Sequence, residues 1–145
     1  NKKKLVIFAR FIPEIESIKS LAREMDIRYS YITGEIKTEE RSEMCSKFQN
    51  DNNIKLFIAQ IQTAGLGITL TAANTAVFYS LDFNYANYSQ AIARTHRIGQ
   101  KNTCTYINLI ATETVDEKIL KALESKQDIA KNVVDNWRDY FKKGE

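Results

Sequence analysis

The chain has 145 residues, 43% of them hydrophobic and 27% charged, with a formal net charge of +3. That is the length of one ordinary domain, able to bury about 70% of its unfolded surface, and the composition excludes a disordered or fibrous chain. A charge of +3 is too small to argue for a nucleic-acid partner by itself, so charge placement has to decide. Cys45, Cys104 and the single histidine, His96, lie in unrelated segments and offer no metal-ligand or disulfide spacing, which points to a reducing, intracellular setting. The longest apolar runs fall far below the roughly 20 residues of a membrane span, and no signal-peptide pattern opens the chain. The expectation is a protein with no membrane partner, cytoplasmic or, in a eukaryote, nuclear.

Leu5 to Ala9 is an almost purely apolar run rich in branched and aromatic residues, which predicts a strand covered on both faces. Pro13 suits a first helical turn, and Ile15, Ile18, Leu21, Ala22 and Met25 recur at three- and four-residue steps, the pattern of an amphipathic helix. A second strand is expected over Ile27 to Ile32, then a helix from near Thr38, with Glu39 and Glu40 in its positive first turn and Met44 and Phe48 facing the core. Ile54 to Ala59 and Ala76 to Tyr79 read as the third and fourth strands, Ala86 to Arg97 as a helix, and Cys104 to Ala111 as a fifth strand. Thr114 and Glu117 form a T-x-x-E capping box. After it Ile119, Leu123, Ala130, Val133, Val134 and Trp137 keep helical spacing, so residues 115–145 close the chain as one or two helices.

Strand and helix alternating in this way predict an α/β fold, a mostly parallel sheet of five or six strands with helices on both faces. In such sheets working residues gather at the carboxyl ends of strands. The segment Gln90 to Gln100, QAIARTHRIGQ, carries the strongest signal. At about 100° per residue, Gln90, Arg94 and Arg97 fall in one narrow helical sector. Two guanidiniums aimed at one place suit phosphate oxygens, because arginine offers fixed, always charged, bidentate donors; on spacing alone, a solvated helix face is the favoured reading.

The wider string Ala64 to Gln100, AGLGITLTAANTAVFYSLDFNYANYSQAIARTHRIGQ, closely resembles motifs V and VI of Swi/Snf-type ATPases, relatives of superfamily 2 helicases. Lys4 to Phe11 resembles motif IV, Gly34 with Arg41 and Phe48 the segment after it, and Thr114 to Leu120 the family's closing helix, so the likeness covers nearly the whole chain in order. The resemblance implies the second, C-terminal lobe of a RecA-like three-layer fold, spanning residues 1–145. It implies that Arg94 and Arg97 are arginine fingers, with Gln90 orienting or coupling, and that they reach ATP and Mg2+ held by a first, N-terminal RecA-like lobe. It also implies that Gly65 and Gly67 allow close phosphate approach, and that Thr63, Ala64 and Arg10 contact the backbone of double-stranded DNA without sequence preference. Gln60, Gln62, Ala64 and Tyr85 stand where the family often has serine, a basic residue, glycine and proline. His96 is expected to pack or hydrogen-bond without a catalytic role. Trp137, Tyr140 and Phe141 read as packing.

No G-x-x-x-x-G-K-S/T loop occurs, and Asp116-Glu117 opens a helix instead of ending an apolar strand, so the ATP-holding parts are expected elsewhere in a longer protein. A Rossmann reading of Gly65-Leu66-Gly67 fails at the third glycine, where Leu70 stands. A noncatalytic nucleic-acid or protein-binding module on the same fold is the alternative.

Overall fold

A computed structural model describes residues 3–142, with side chains described through residue 135. In chain order the elements are β1 (Leu5–Ala9), α1 (Ile12–Glu24), β2 (Tyr29–Ile32), α2 (Thr38–Asn50), β3 (Leu56–Gln60), a 3-10 turn (Ile61–Leu66), β4 (Thr75–Phe78), α3 (Tyr85–Thr95), β5 (Thr105–Asn108) and α4 (Val115–Lys142). All five strands are parallel, in the order β2-β3-β1-β4-β5. The three most apolar runs therefore occupy the centre. Parallel strands covered on both faces cannot alternate polar and apolar residues, which is why these runs read as continuous hydrophobic stretches.

Alternation along the strands divides the core in two. Val6, Phe8, Phe57, Ala59, Ala76 and Phe78 face α2, α3 and α4, where Phe48, Tyr88, Ala91, Ile119 and Leu123 meet them. Leu5, Ile7, Ala9, Leu56 and Ile58 face α1 through Ile15, Ile18 and Ala22. Leu21 and Met25, at the margin of the α1 stripe, are 54% and 61% exposed. Beyond α1 on the same face, Tyr79, Ile107 and Leu109 are also exposed.

Local chemistry moves several boundaries from their expected places. Ile27 donates its N–H to Ala22 O at the end of α1, so β2 starts only at Tyr29. Ile54 donates to Asp51 O in a turn, so β3 starts at Leu56. The β5 ladder closes with Leu109 N–H on Phe78 O, which leaves Ile110 and Ala111 outside it. At the start of α4 the Thr114 hydroxyl accepts from Asp116 N, while the Glu117 carboxylate accepts from Glu113 N, one residue earlier than a capping box requires. Trp137, Tyr140 and Phe141 lie beyond the described side chains.

Lys4 is a buried lysine, 6% exposed, whose ammonium donates to Phe48 O and, at 2.9 Å, to Asp51 O, so it caps the negative end of α2. Burial, then the neighbouring Lys55 charge, pulls its pKa below the ordinary lysine value, against an opposing pull from Asp51. The ring of Phe48 lies under this ammonium and is tilted against Phe57 at 5.2 Å. Phe48 is fully buried, so Phe48→Ala is expected to lower the unfolding free energy by about 3–5 kcal/mol in a denaturant titration.

Candidate functional site

Because β3 and β4 are parallel and flank β1, residues 61–74 must run from the carboxyl edge of the sheet back to its amino edge. This connection does so without a full helix, and Ile61, Ala64, Ile68, Leu70 and Ala73 are buried along it. Helix α3 runs in the same direction beside it and is amphipathic, burying Tyr88, Ala91 and Thr95. The side chain of its N-cap residue, Asn84, accepts from Asn87 N at 3.1 Å. Asp82, 9% exposed, accepts from Asn84 N at 2.8 Å and shapes the turn that launches the helix.

Helix α3 ends at Thr95, so Arg97 lies outside the helix and the single-sector argument fails for it. The two arginines still converge, through the turn that follows. Arg94 Nη1 donates to Ile68 O at 3.4 Å, and Arg97 Nη1 donates to the same oxygen at 3.3 Å and to Thr69 Oγ1 at 3.0 Å. The Leu70 N–H closes on Arg94 O at 2.9 Å. Among the described residues neither guanidinium has a carboxylate partner, and Arg94 Nε is buried without an acceptor. Burial, then the charge of Arg97, pulls the Arg94 pKa below its ordinary value. Two guanidiniums that share one carbonyl, with no carboxylate partner among the described residues, have the chemistry to receive an anion. Ile98, just before Gly99, is fully exposed, and His96 is exposed as well, contrary to the expected packing role.

Gln90 meets Gly65 instead of the arginines. A Cβ at Gly65 would stand 2.9 Å from Gln90 Oε1, so glycine is what lets α3 close on the 3-10 turn. Gly67 ends that turn at φ +73°, a left-handed conformation that glycine adopts without cost. Thr63 and Ala64 are buried, main chain included, and the Thr63 hydroxyl donates to Gln60 O at 2.6 Å, so the surface of this turn is made by Gln62, Gly65, Leu66 and Gly67. Beside Gly67 a cleft of about 330 Å3 opens toward Thr38, Arg41 and Ser42 of α2. Arg41 is tied into the fold by a bond from Nη2 to Gly34 O at 3.0 Å.

Arg10 stands apart from the arginine pair, at the carboxyl edge of the sheet. Its guanidinium lies over the Phe11 ring, its N–H donates to Ser80 Oγ, and its carbonyl accepts from Gln60 Nε2 at 3.4 Å. Gln60 Oε1 also accepts from Gly34 N at 3.0 Å, so this side chain braces the ends of β1, β2 and β3. Arg10 and Thr63 to Gly65 thus lie at the carboxyl ends of strands, whereas Arg94 and Arg97 lie toward the amino edge.

Residues 1–99 match the family model described as "Helicase conserved C-terminal domain". The chain is 32% identical over 137 residues to an ATP-dependent helicase of Mycoplasma pneumoniae, covering 94% of this chain and 13% of that protein. It is 34% identical over 131 residues to the human chromatin-remodeling ATPase INO80, covering 90% of this chain and 8% of that protein. The crystal structure of the C-terminal part of the Fun30 ATPase domain superposes with a TM-score of 0.80 at 27% identity, over 84% of this chain and 39% of that one. The chain belongs to the helicase C-terminal domain family, in its Swi/Snf-type branch, and its fold is the RecA-like second lobe.

The two glycines predict different costs. Gly67→Ala forces a left-handed alanine and should destabilise the chain by about 1–2 kcal/mol. Gly65→Ala meets only the end of a flexible, exposed side chain, so it should cost less stability while displacing Gln90. Denaturant titration of both variants, with the Gln90 side-chain amide followed by NMR, checks this.

Proposed function

We propose that this chain is the second motor lobe of an ATP-dependent double-stranded DNA translocase, and that Arg94 and Arg97 are its arginine fingers. The observation that carries this reading is the pair of guanidiniums on Ile68 O, held without a counter-charge. The γ-phosphate of ATP on a preceding lobe supplies the missing anion when the two lobes close, and the fingers stabilise the charge that develops during phosphoryl transfer. ATP and Mg2+ are assigned to a preceding lobe, as the likeness to Swi/Snf-type ATPases implies. The chain spans only 8–13% of the two named helicase relatives, which leaves ample length for that lobe.

The DNA track is assigned to the opposite edge of the sheet, to Arg10 and the loop from Gln62 to Gly67, in which Gln62, Gly65, Leu66 and Gly67 are exposed while Thr63 and Ala64 support it from beneath. The cleft beside Gly67, with the hydroxyls of Thr38 and Ser42, lies along the same connection. Such groups position a phosphate backbone and carry no sequence information. Gln90, packed on Gly65 of the DNA-facing loop, couples the two sites.

In the complete two-lobed protein, Arg94→Ala and Arg97→Ala are each expected to lower DNA-stimulated ATP turnover by about 10³–10⁵-fold while leaving ATP binding within a few fold. The isolated lobe should hydrolyse no ATP. Near-normal turnover in both single variants would reduce α3 to an ordinary charged helix. A noncatalytic module would show no DNA-stimulated hydrolysis even with both lobes present. Binding of duplex DNA by this lobe alone should be insensitive to sequence and fall steeply with salt, as counterion release requires; a fluorescence titration at two salt concentrations measures it.

A further inference from the structure

We infer that Gln100 is a positioning residue for the Arg97 finger, an inference that rests on the reading of Arg94 and Arg97 just given. Arg97 lies beyond the last turn of α3, so the helix does not hold it. What fixes it is the turn from His96 to Gln100, which contains Gly99 at φ +102° and the fully exposed Ile98. Such a turn has almost no packing of its own.

Gln100 closes it from both sides. Its N–H donates to Arg97 O at 3.0 Å. Its side-chain amide reaches three carbonyls: Thr95 O at 3.1 Å, where α3 ends, and Thr71 O at 3.2 Å and Ala73 O at 2.8 Å, in the connection that leads into β4. The Oε1 atom accepts from Asn102 N at 3.1 Å, which fixes the orientation of the amide. Both ends of the side-chain amide are engaged, and its two N–H groups serve three acceptors.

The geometry gives Gln100 a task distinct from general stability. Arg97 donates to Ile68 O and Thr69 Oγ1, and Gln100 bonds the same strip of chain two to four residues further on. The strip carrying the resting partners of the finger and the turn carrying the finger are thereby locked in register. Without the amide donors, the turn can slide along the strip while α3 and the sheet remain folded. The required chemistry is a neutral or cationic donor of this length. A carboxylate of the same shape would face three carbonyl oxygens and be repelled.

The test uses the two-lobed protein with saturating duplex DNA. A misplacement of about 1 Å in a catalytic group costs up to about 10²-fold, so Gln100→Glu is expected to lower kcat by roughly 10- to 100-fold with the KM for ATP nearly unchanged. Gln100→Lys, which restores donors toward the three carbonyls, should recover most of that loss. In an Arg97→Lys background, which keeps a measurable rate, adding Gln100→Glu should change kcat by less than about twofold, because the two residues act as one unit. If Gln100→Glu does not fold, Gln100→Asn is used in the same cycle; it keeps the neutral amide but is too short to span the three carbonyls.

Normal kcat in Gln100→Glu, or a double variant whose losses simply multiply, would overturn the positioning role. Parallel assay of Arg97→Ala separates this failure from failure of the finger reading. An inactive Arg97→Ala beside a normal Gln100→Glu sinks only the role of Gln100, whereas an active Arg97→Ala sinks both.

Discussion

The carbonyl oxygen of Ile68 receives N–H donors from two arginines, and the geometry around it depends on how closely one stretch of chain lies against another. Residues 61–74 occupy the place where a parallel crossover would ordinarily put a helix, and α3 lies directly over them. The seam between them begins with Gly65 against Gln90, continues through Leu70 N on Arg94 O, and ends with the Gln100 amide on Thr71 O and Ala73 O. A side chain at position 65 would wedge the seam open at its upper end. Loss of the amide donors at position 100 would release its lower end.

The sheet order explains why such a seam exists. With β1 between β3 and β4, the connection must cross from one edge of the sheet to the other, so a single strip touches both ends of the domain. In the proposed mechanism its upper end faces DNA and its lower end holds the arginines that answer to ATP. A displacement of the strip by either ligand is then felt by the other, with α3 as the rigid partner, and allosteric coupling needs no longer pathway than this.

Much of this was legible in the sequence, for reasons that differ from element to element. β1, β3 and β4 were readable because a strand covered on both faces must be apolar throughout, as Leu5 to Ala9 is. The ends were less readable, because Ile27, Ile54 and Ile110 are apolar residues that serve turns or flank the ladder, and hydrophobicity does not distinguish these roles. Arg94 and Arg97 were legible as a pair through helical spacing. That reason was wrong for Arg97, since Gly99 and the Gln100 amide end the helix early and a turn brings the guanidinium round. The motif string singled out the same two residues, whose geometry periodicity alone misdescribed. The contacts of Gln100 with Thr71 and Ala73, 29 and 27 residues away, left no periodic trace. Nor did the brace that Gln60 forms between Arg10 and Gly34.

The account stands or falls on whether an anion from another lobe replaces Ile68 O as the acceptor of these arginines. The most direct measurement is a structure of the two-lobed protein trapped with ADP and a fluoride mimic of the transferring phosphoryl group. It should show Arg94 and Arg97 donating to the mimic at about 2.7–3.1 Å, with the Ile68 carbonyl released or shared. A closed, nucleotide-loaded structure in which both guanidiniums still rest on Ile68 O and Thr69 Oγ1, with the mimic neutralised by other groups, would contradict it.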